Sequence, residues 1–168
     1  MTEIRTPRLL LRRARRDDLA AMHAVLSDPR AMRYWSTPPH ADTTRTETWL
    51  ESMLAIPPGE GDDFVIECAG VVIGKAGFYR YPEIGFILRS DAWGRGLGRE
   101  AVGAVLARFF ETTEHPAATA DVDPRNAASL GLLTGLGFVE TGRAAATYEV
   151  GGEICDSVYL AARRRDRS

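Results

Sequence analysis

Gly94, Gly96 and Gly98 alternate with Arg95, Leu97 and Arg99 directly after an apolar run that begins at Glu83. Glycines in that spacing leave backbone N–H groups unobstructed. A helix starting near Leu97 would turn its first unpaired amides toward the same point. Arg95 and Arg99 add positive charge. The chemistry this suits is the holding of an anion with several oxygens, such as a pyrophosphate, and Trp93 at the head of the turn completes the segment.

Two cofactor classes carry a pyrophosphate in this way. Gly96-Leu-Gly98-Arg-Glu-Ala101 satisfies the G-x-G-x-x-A pattern of dinucleotide sites, with Asp121 about twenty residues on to hold a ribose. That pattern requires serial β-α-β units starting at the fingerprint strand. Here three antiparallel strands precede it and only one or two such units follow, so the order of elements disfavours a dinucleotide.

The elements that must position the turn read as follows. Residues 8–13 form a first strand, and Asp17 and Asp18 open a helix with Leu19, Met22, Val25 and Leu26 on one face. Residues 27–41 are a loop. A second helix runs from Asp42 to Ala55 with Trp49 and Met53 four apart, capped by Asp42 or by a Thr44/Glu47 box. Strands at Phe64–Cys68, Val71–Tyr79 and Ile84–Leu88 form an antiparallel meander through Ala69-Gly70 and Tyr81-Pro82. Leu97, Ala101, Val102, Val105, Leu106, Phe109 and Phe110 then make one helix face. A strand at 117–122, a helix at 126–136 stopped by Gly137, and strands near Phe138–Tyr148 and Glu153–Ala161 complete the chain. The expectation is a mixed α+β domain spanning residues 1–168. It has a mostly antiparallel sheet of about seven strands and four flanking helices.

Read together, these segments resemble the GNAT N-acetyltransferase superfamily. Trp93-Gly-Arg-Gly96-Leu-Gly98 fits that family's Gln/Arg-x-x-Gly-x-Gly/Ala signature at both small positions, with Trp93 in place of the usual Gln or Arg. This departure is typical of the branch that includes enzymes acetylating the N-termini of ribosomal proteins. Thr6-Pro-Arg-Leu-Leu-Leu-Arg12, Ser27-Asp-Pro-Arg-Ala-Met-Arg-Tyr34, Glu83-Ile-Gly-Phe-Ile-Leu88 and Asp123-Pro-Arg-Asn126-Ala-Ala-Ser129 with Leu136-Gly137-Phe138 are similar to the same branch, in the same order.

The resemblance implies an acetyl-coenzyme-A-dependent transferase acting on a primary amine, either a protein N-terminus or a small molecule, by direct attack in a ternary complex. It implies that Trp93, Gly94, Arg95, Gly96, Leu97, Gly98 and Arg99 take the pyrophosphate. The backbone of Phe86 and Leu88 meets the pantetheine, on a strand that splays from its neighbour. Glu83 corresponds to the family's acidic residue and serves as general base or as a rim residue that positions the amine. The tyrosine many members use to protonate the leaving thiolate is replaced by Leu133. Ser129 stands on the same helix for positioning, and Asn126 either binds coenzyme A or caps that helix. Tyr34, Trp35 and Tyr148 are expected to wall the acceptor site, with Met32 and His40 in the same loop, and no acidic cluster awaits a polycation. A different class of reading is a non-catalytic acyl-coenzyme-A-binding module.

Composition sets the remaining bounds. A chain of 168 residues can bury roughly 70% of its unfolded surface and needs no staples. The net charge of −2 argues against a dedicated nucleic-acid partner, and no apolar run is long enough for a membrane span. Met1–Arg5 lacks the apolar core of a signal peptide. Cys68 and Cys155 are far apart without metal-ligand spacing, which fits reduced thiols, no metal, and a cytoplasmic monomer or homodimer. Neither has a histidine nearby in sequence to support a covalent mechanism. Lys75 is the sole lysine among 21 basic residues, a compositional skew. Arg163–Ser168 reads as a frayed, solvated end.

Overall fold

A computed structural model describes residues 2–166. One sheet of eight strands runs through it in the order β1-β2-β3-β4-β5-β6-β8-β7. The strands are β1 (Glu3–Arg5), β2 (Leu9–Arg12), β3 (Asp62–Cys68), β4 (Val71–Arg80), β5 (Glu83–Leu88), β6 (Ala117–Val122), β7 (Val139–Val150) and β8 (Glu153–Arg163). The helices are α1 (Leu19–Leu26), α2 (Thr43–Leu54), α3 (Leu97–Thr112) and α4 (Ala127–Gly135). The eighth strand is the short β1, paired antiparallel to β2. Three residues carry too little pattern to be seen in the sequence.

Each face of the sheet has its own core. On one face, the predicted stripe of α3 from Leu97 to Phe109 packs with Leu133 of α4 on Phe64, Ile66, Phe78, Ile84 and Leu88. On the other, Met22, Val25 and Leu26 of α1 join Leu50 and Met53 of α2 over Val65, Val72 and Ile87. Strands covered on both sides read as near-continuous apolar runs, which is why β3 and β4 are buried along almost their whole length.

Several local expectations change. Arg16–Asp18 is a short 3₁₀ turn and α1 begins at Leu19. Asp18 is buried and accepts from both terminal nitrogens, Nη1 and Nη2, of the Arg12 guanidinium, at 2.9 and 2.7 Å. Asp42 alone caps α2, accepting the Arg45 N–H, without the Thr44/Glu47 box. Met32 of the long loop is 1% exposed and belongs to the core over α1. The C-terminal tail is not frayed where it is described. Arg163 ends β8, and the Arg164 guanidinium donates to the carbonyls of Phe110, Thr113 and His115, closing the C-terminal end of α3. Residues 167 and 168 lie outside the described residues.

The feature that positions a site is the junction of β5 and β6. Every other pair in the sheet is antiparallel; these two are parallel, joined by the crossover helix α3. They meet only at Glu83↔Thr119, where the Thr119 N–H reaches Pro82 O at 2.8 Å. Beyond that bridge they diverge. The bulge nearby lies on β4, where Phe78 and Tyr79 stand opposite the single Ile84.

Candidate active site

The divergence leaves one edge of β5 open. Arg89 N–H bonds Ile73 O at 2.7 Å. Antiparallel alternation therefore gives residues 87 and 85 to the β4 ladder, while Phe86 and Leu88 sit in non-hydrogen-bonded pairs with Ala76 and Gly74. Their N–H groups point to the β6 side, past the last β5–β6 bridge. The Leu88 carbonyl on this edge accepts from Trp93 Nε1 at 3.1 Å. Leu88 thus offers its N–H and not its C=O, and Trp93 acts by folding the turn back onto the strand.

At the far end of this edge the glycine turn takes the expected shape. Gly94 and Gly96 have φ of 76° and 75°, a region that glycine enters without a Cβ clash. α3 starts at Leu97, and its first helical bond is Glu100 N–H to Gly96 O at 3.1 Å, so the amides of Leu97, Gly98 and Arg99 face outward unpaired. Gly98 differs from its two companions. Its backbone is ordinary, but a Cβ there would lie 3.1 Å from Leu132 Cδ1 and 3.7 Å from Leu88 Cδ1, so it lets α3 approach α4 and β5.

A brace from the N-terminal segment holds the turn. Arg8 donates to Arg95 O at 2.7 Å and pairs with Glu100 at 2.7 Å, and Thr6 adds a bond to Glu100. Although desolvation opposes it, these bonds keep the Glu100 carboxyl below the usual range. Arg99 rests on Gly135 O at 3.1 Å, at the end of α4, while Arg95 is exposed.

On α4, Asn126 is the cap: its side chain accepts the Ser129 N–H at 3.2 Å. The alternative expected for Asn126 is what the structure shows, and only its amide N–H groups are left for a ligand. Leu133, in the position of the tyrosine that many family members use, is completely buried and carries no hydroxyl. Ser129 is partly exposed on the first turn of α4.

The opposite face of the sheet carries a cleft of ≈ 980 Å³. Tyr34, Trp35 and Tyr148 all line it, together with His40 and Glu83. Tyr34 lies beneath two guanidinium groups, Arg33 at 5.1 Å and Arg125 at 5.5 Å. Trp35 also packs on the core over α1. The Tyr148 phenol is pushed up to about 12 by burial and by the Asp123 charge, so it stays protonated. His40 is anchored by Thr46, whose hydroxyl bridges the Nδ1 atoms of His40 and His23 at 2.8 and 2.7 Å. Burial lowers the His40 pKa, so it remains neutral.

Glu83 opens β5 on the cleft floor. It keeps access to solvent while protein crowds it from below, and burial, reinforced by the Asp121 carboxylate, raises its pKa above the ordinary value. A second carboxylate stands beside it. With Glu83 opposite Thr119, residue 121 follows two positions along β6 on the same face. Asp121 is therefore a cleft residue, set beside an acid on another strand. The strand pairing that joins them is not readable from one sequence. Asp63 and Lys75 of the floor were also missed. Cys68 and Cys155 lie on strands outside the cleft lining, and Cys155 Sγ contacts Glu153 O and Arg125.

The two halves of the site are thus separate. Phe86, Leu88, the 94–99 turn and α4 belong to the α3 face, and Glu83, Tyr34, Trp35 and Tyr148 to the α1/α2 face, with β5 shared between them. Comparisons with known proteins agree with this architecture. The model of the acetyltransferase (GNAT) domain family matches residues 8–139. A protein of Bacillus licheniformis described as an uncharacterized N-acetyltransferase, p20, is 27% identical over 169 residues, covering 95% of this chain and 94% of that one. The solved structure of RimL, a ribosomal L7/L12 alpha-N-protein acetyltransferase in complex with coenzyme A, superposes with a TM-score of 0.85 at 19% identity, covering 96% of this chain and 97% of the other. Spermidine N-acetyltransferase from Vibrio cholerae, in complex with coenzyme A and spermine, gives 0.80 at 21% identity over 94% and 96%.

Proposed function

The chain belongs to the acetyltransferase (GNAT) domain family, and from that premise we propose that it is an N-acetyltransferase that moves an acetyl group from acetyl-coenzyme A to a primary amine in a ternary complex. The observation that carries this reading is the open edge of β5. At one end it meets the outward amides of α3, and at the other it begins with Glu83 in the cleft on the opposite face. A cofactor laid along it as an added strand would have its pyrophosphate at the helix start and its thioester next to the acceptor cleft.

The steps follow from the groups at hand. The Leu97, Gly98 and Arg99 amides hold the pyrophosphate, and the Phe86 and Leu88 N–H groups hold the pantetheine. Glu83, directly or through a water, takes the proton of the bound ammonium. A raised pKa makes it a better base than an ordinary glutamate. The neutral amine attacks the thioester carbonyl, and a β5 N–H stabilises the oxyanion. Collapse expels the coenzyme A thiolate. With Leu133 in the tyrosine position, Ser129 contributes orientation, and the proton reaches the thiolate from solvent or from the acceptor nitrogen, which sheds one as the amide forms. Neither cysteine lines the cleft, which supports direct attack over an acyl-cysteine intermediate.

Acceptor candidates are a protein N-terminus and a small amine, the acceptors named for RimL and for the spermidine enzyme respectively. The buried Leu133 also favours a second reading, a non-catalytic acyl-coenzyme-A-binding module. One experiment separates the two. Acetyl-coenzyme A, and not NAD, should raise the melting temperature, a ligand at a hundred times its Kd adding about 2.7 kcal/mol. Thiol release should then depend on an added amine. Stabilisation without amine-dependent thiol release across an amine panel favours the binding module; stabilisation by NAD alone rejects both.

A further inference from the structure

We infer that Lys75 is an acceptor-binding residue, its ammonium receiving the carbonyl or carboxylate oxygen next to the reacting amine, so that the acceptor is an α-amino acyl unit. This rests on the acetyl-transfer reading above and names the acceptor class for the same site.

Lys75 is the sole lysine of the chain, and it is 4% exposed in the middle of β4 on the cleft floor. Its Nζ lies 2.9 Å from both Oδ1 and Oδ2 of Asp63, itself 4% exposed. An ammonium has three donors. Asp63 Oδ2 accepts one, with Oδ1 at the same distance, and among the described residues no other hydrogen bond to Nζ is present. At least one N–H is therefore left without an acceptor among the described residues.

Two glycines clear the space around this pair. Gly77 and Gly85 stand opposite each other on β4 and β5. A Cβ at Gly77 would come within 2.7 Å of Asp63 Oδ1, so a side chain there would displace the carboxylate. A Cβ at Gly85 would stand 3.8 Å from Nζ and cover it. Without that Cβ the ammonium faces the cleft. Glu83 precedes Gly85 by two residues on the same face of β5, roughly 6.6 Å along the strand. An amine at Glu83 and an oxygen at Lys75 match a group in which both are borne by adjacent carbons. A simple alkylamine has nothing to offer the ammonium. The thioester oxygen belongs to the β6-side edge of β5, whereas Nζ stands over the β4–β5 pair, so Lys75 is not the oxyanion donor.

Matched acceptor triplets test this: an amino acid, its amide and the corresponding decarboxylated amine, for alanine, serine and phenylalanine, with kcat/KM read by thiol release. The expected result is that the acid or the amide exceeds the amine by roughly tenfold or more, the difference a charge-assisted hydrogen bond makes. An advantage for the amide identifies a peptide N-terminus; an advantage for the acid identifies a free amino acid. Lys75→Met should reduce that ratio to near one while leaving the KM for acetyl-coenzyme A unchanged. Because this variant leaves Asp63 buried and unpaired, Asp63→Asn/Lys75→Met is made beside it, and Gly85→Ala covers Nζ with ordinary contact. All should lose the same selectivity. If the amine matches the acid and amide in the wild type, or if folded Lys75 variants keep the ratio, the inference is overturned while acetyl transfer stands. If no amine is acetylated although coenzyme A binds, acetyl transfer itself fails, and this inference with it.

Discussion

The proposed cofactor side and the proposed acceptor side of this site are built from different materials. On the α3 face the proposed ligand meets backbone: two left-handed glycines, three amides at the start of α3, and the outer edge of β5. On the α1/α2 face it meets side chains from the 34–40 loop and from strands β3 to β8. A backbone site binds a group common to many substrates, tolerates most side-chain changes and fails only where a glycine must stay a glycine. A side-chain site selects. Its properties depend on pairs such as Glu83 with Asp121 and Asp63 with Lys75. The same strand serves both, through its N–H groups on one edge and through Glu83 on one face.

This contrast is testable by asking whether each half can be damaged without the other. The largest effect is expected from Glu83→Gln, which keeps the shape and removes the base. kcat should fall by about 10²-fold or more, with coenzyme A affinity by calorimetry nearly intact. Full turnover in the variant would make Glu83 a rim residue. Next comes Gly96→Val. Its φ of 75° imposes about 1–3 kcal/mol of strain on a β-branched residue. Coenzyme A affinity should weaken about tenfold or more, and kcat at saturation should change little. Unchanged affinity in a folded protein would place the pyrophosphate elsewhere.

Smaller effects sharpen the picture. Ser129→Ala removes a hydroxyl assigned to orientation and not to proton donation, so kcat should drop by less than about tenfold without a change in the basic limb of the pH profile. Loss of that limb would make Ser129 the acid. Asp121→Asn tests the coupling of the two acids. Asp121 raises the Glu83 pKa, so its removal lets that pKa fall. The base must be deprotonated to work. Activity therefore rises as pH climbs through the Glu83 pKa, and in the variant this acid limb should move to lower pH. No movement, or movement upward, would mean that the limb belongs to another group.

The difference between the halves also explains what could be read in the sequence. Glycine spacing followed by a helical stripe is a local pattern, and Gly94, Gly96 and the start of α3 at Leu97 were legible from it. Helix faces were legible too, since Leu97 to Phe109 recur at helical spacing. Asp121 was not, because its neighbour Glu83 lies 38 residues earlier and only the β5–β6 register joins them. Lys75 was hidden by its rarity, which looked like composition. Its partner Asp63 emerges only once β3 and β4 are paired so that Val65 faces Lys75. Arg164 was misread for a similar reason: an arginine near a chain end looks solvated until the carbonyls of α3 are brought beside it.

The central claim is that the cofactor lies on backbone and the acceptor on side chains, with β5 between them. Backbone amide chemical shifts recorded during titration with coenzyme A test it most directly. The account predicts perturbations concentrated at Phe86, Leu88, Leu97, Gly98 and Arg99, with Tyr34, His40 and Arg45 almost silent. Perturbations centred on the 34–45 segment, with the amides of 94–99 unmoved, would contradict it.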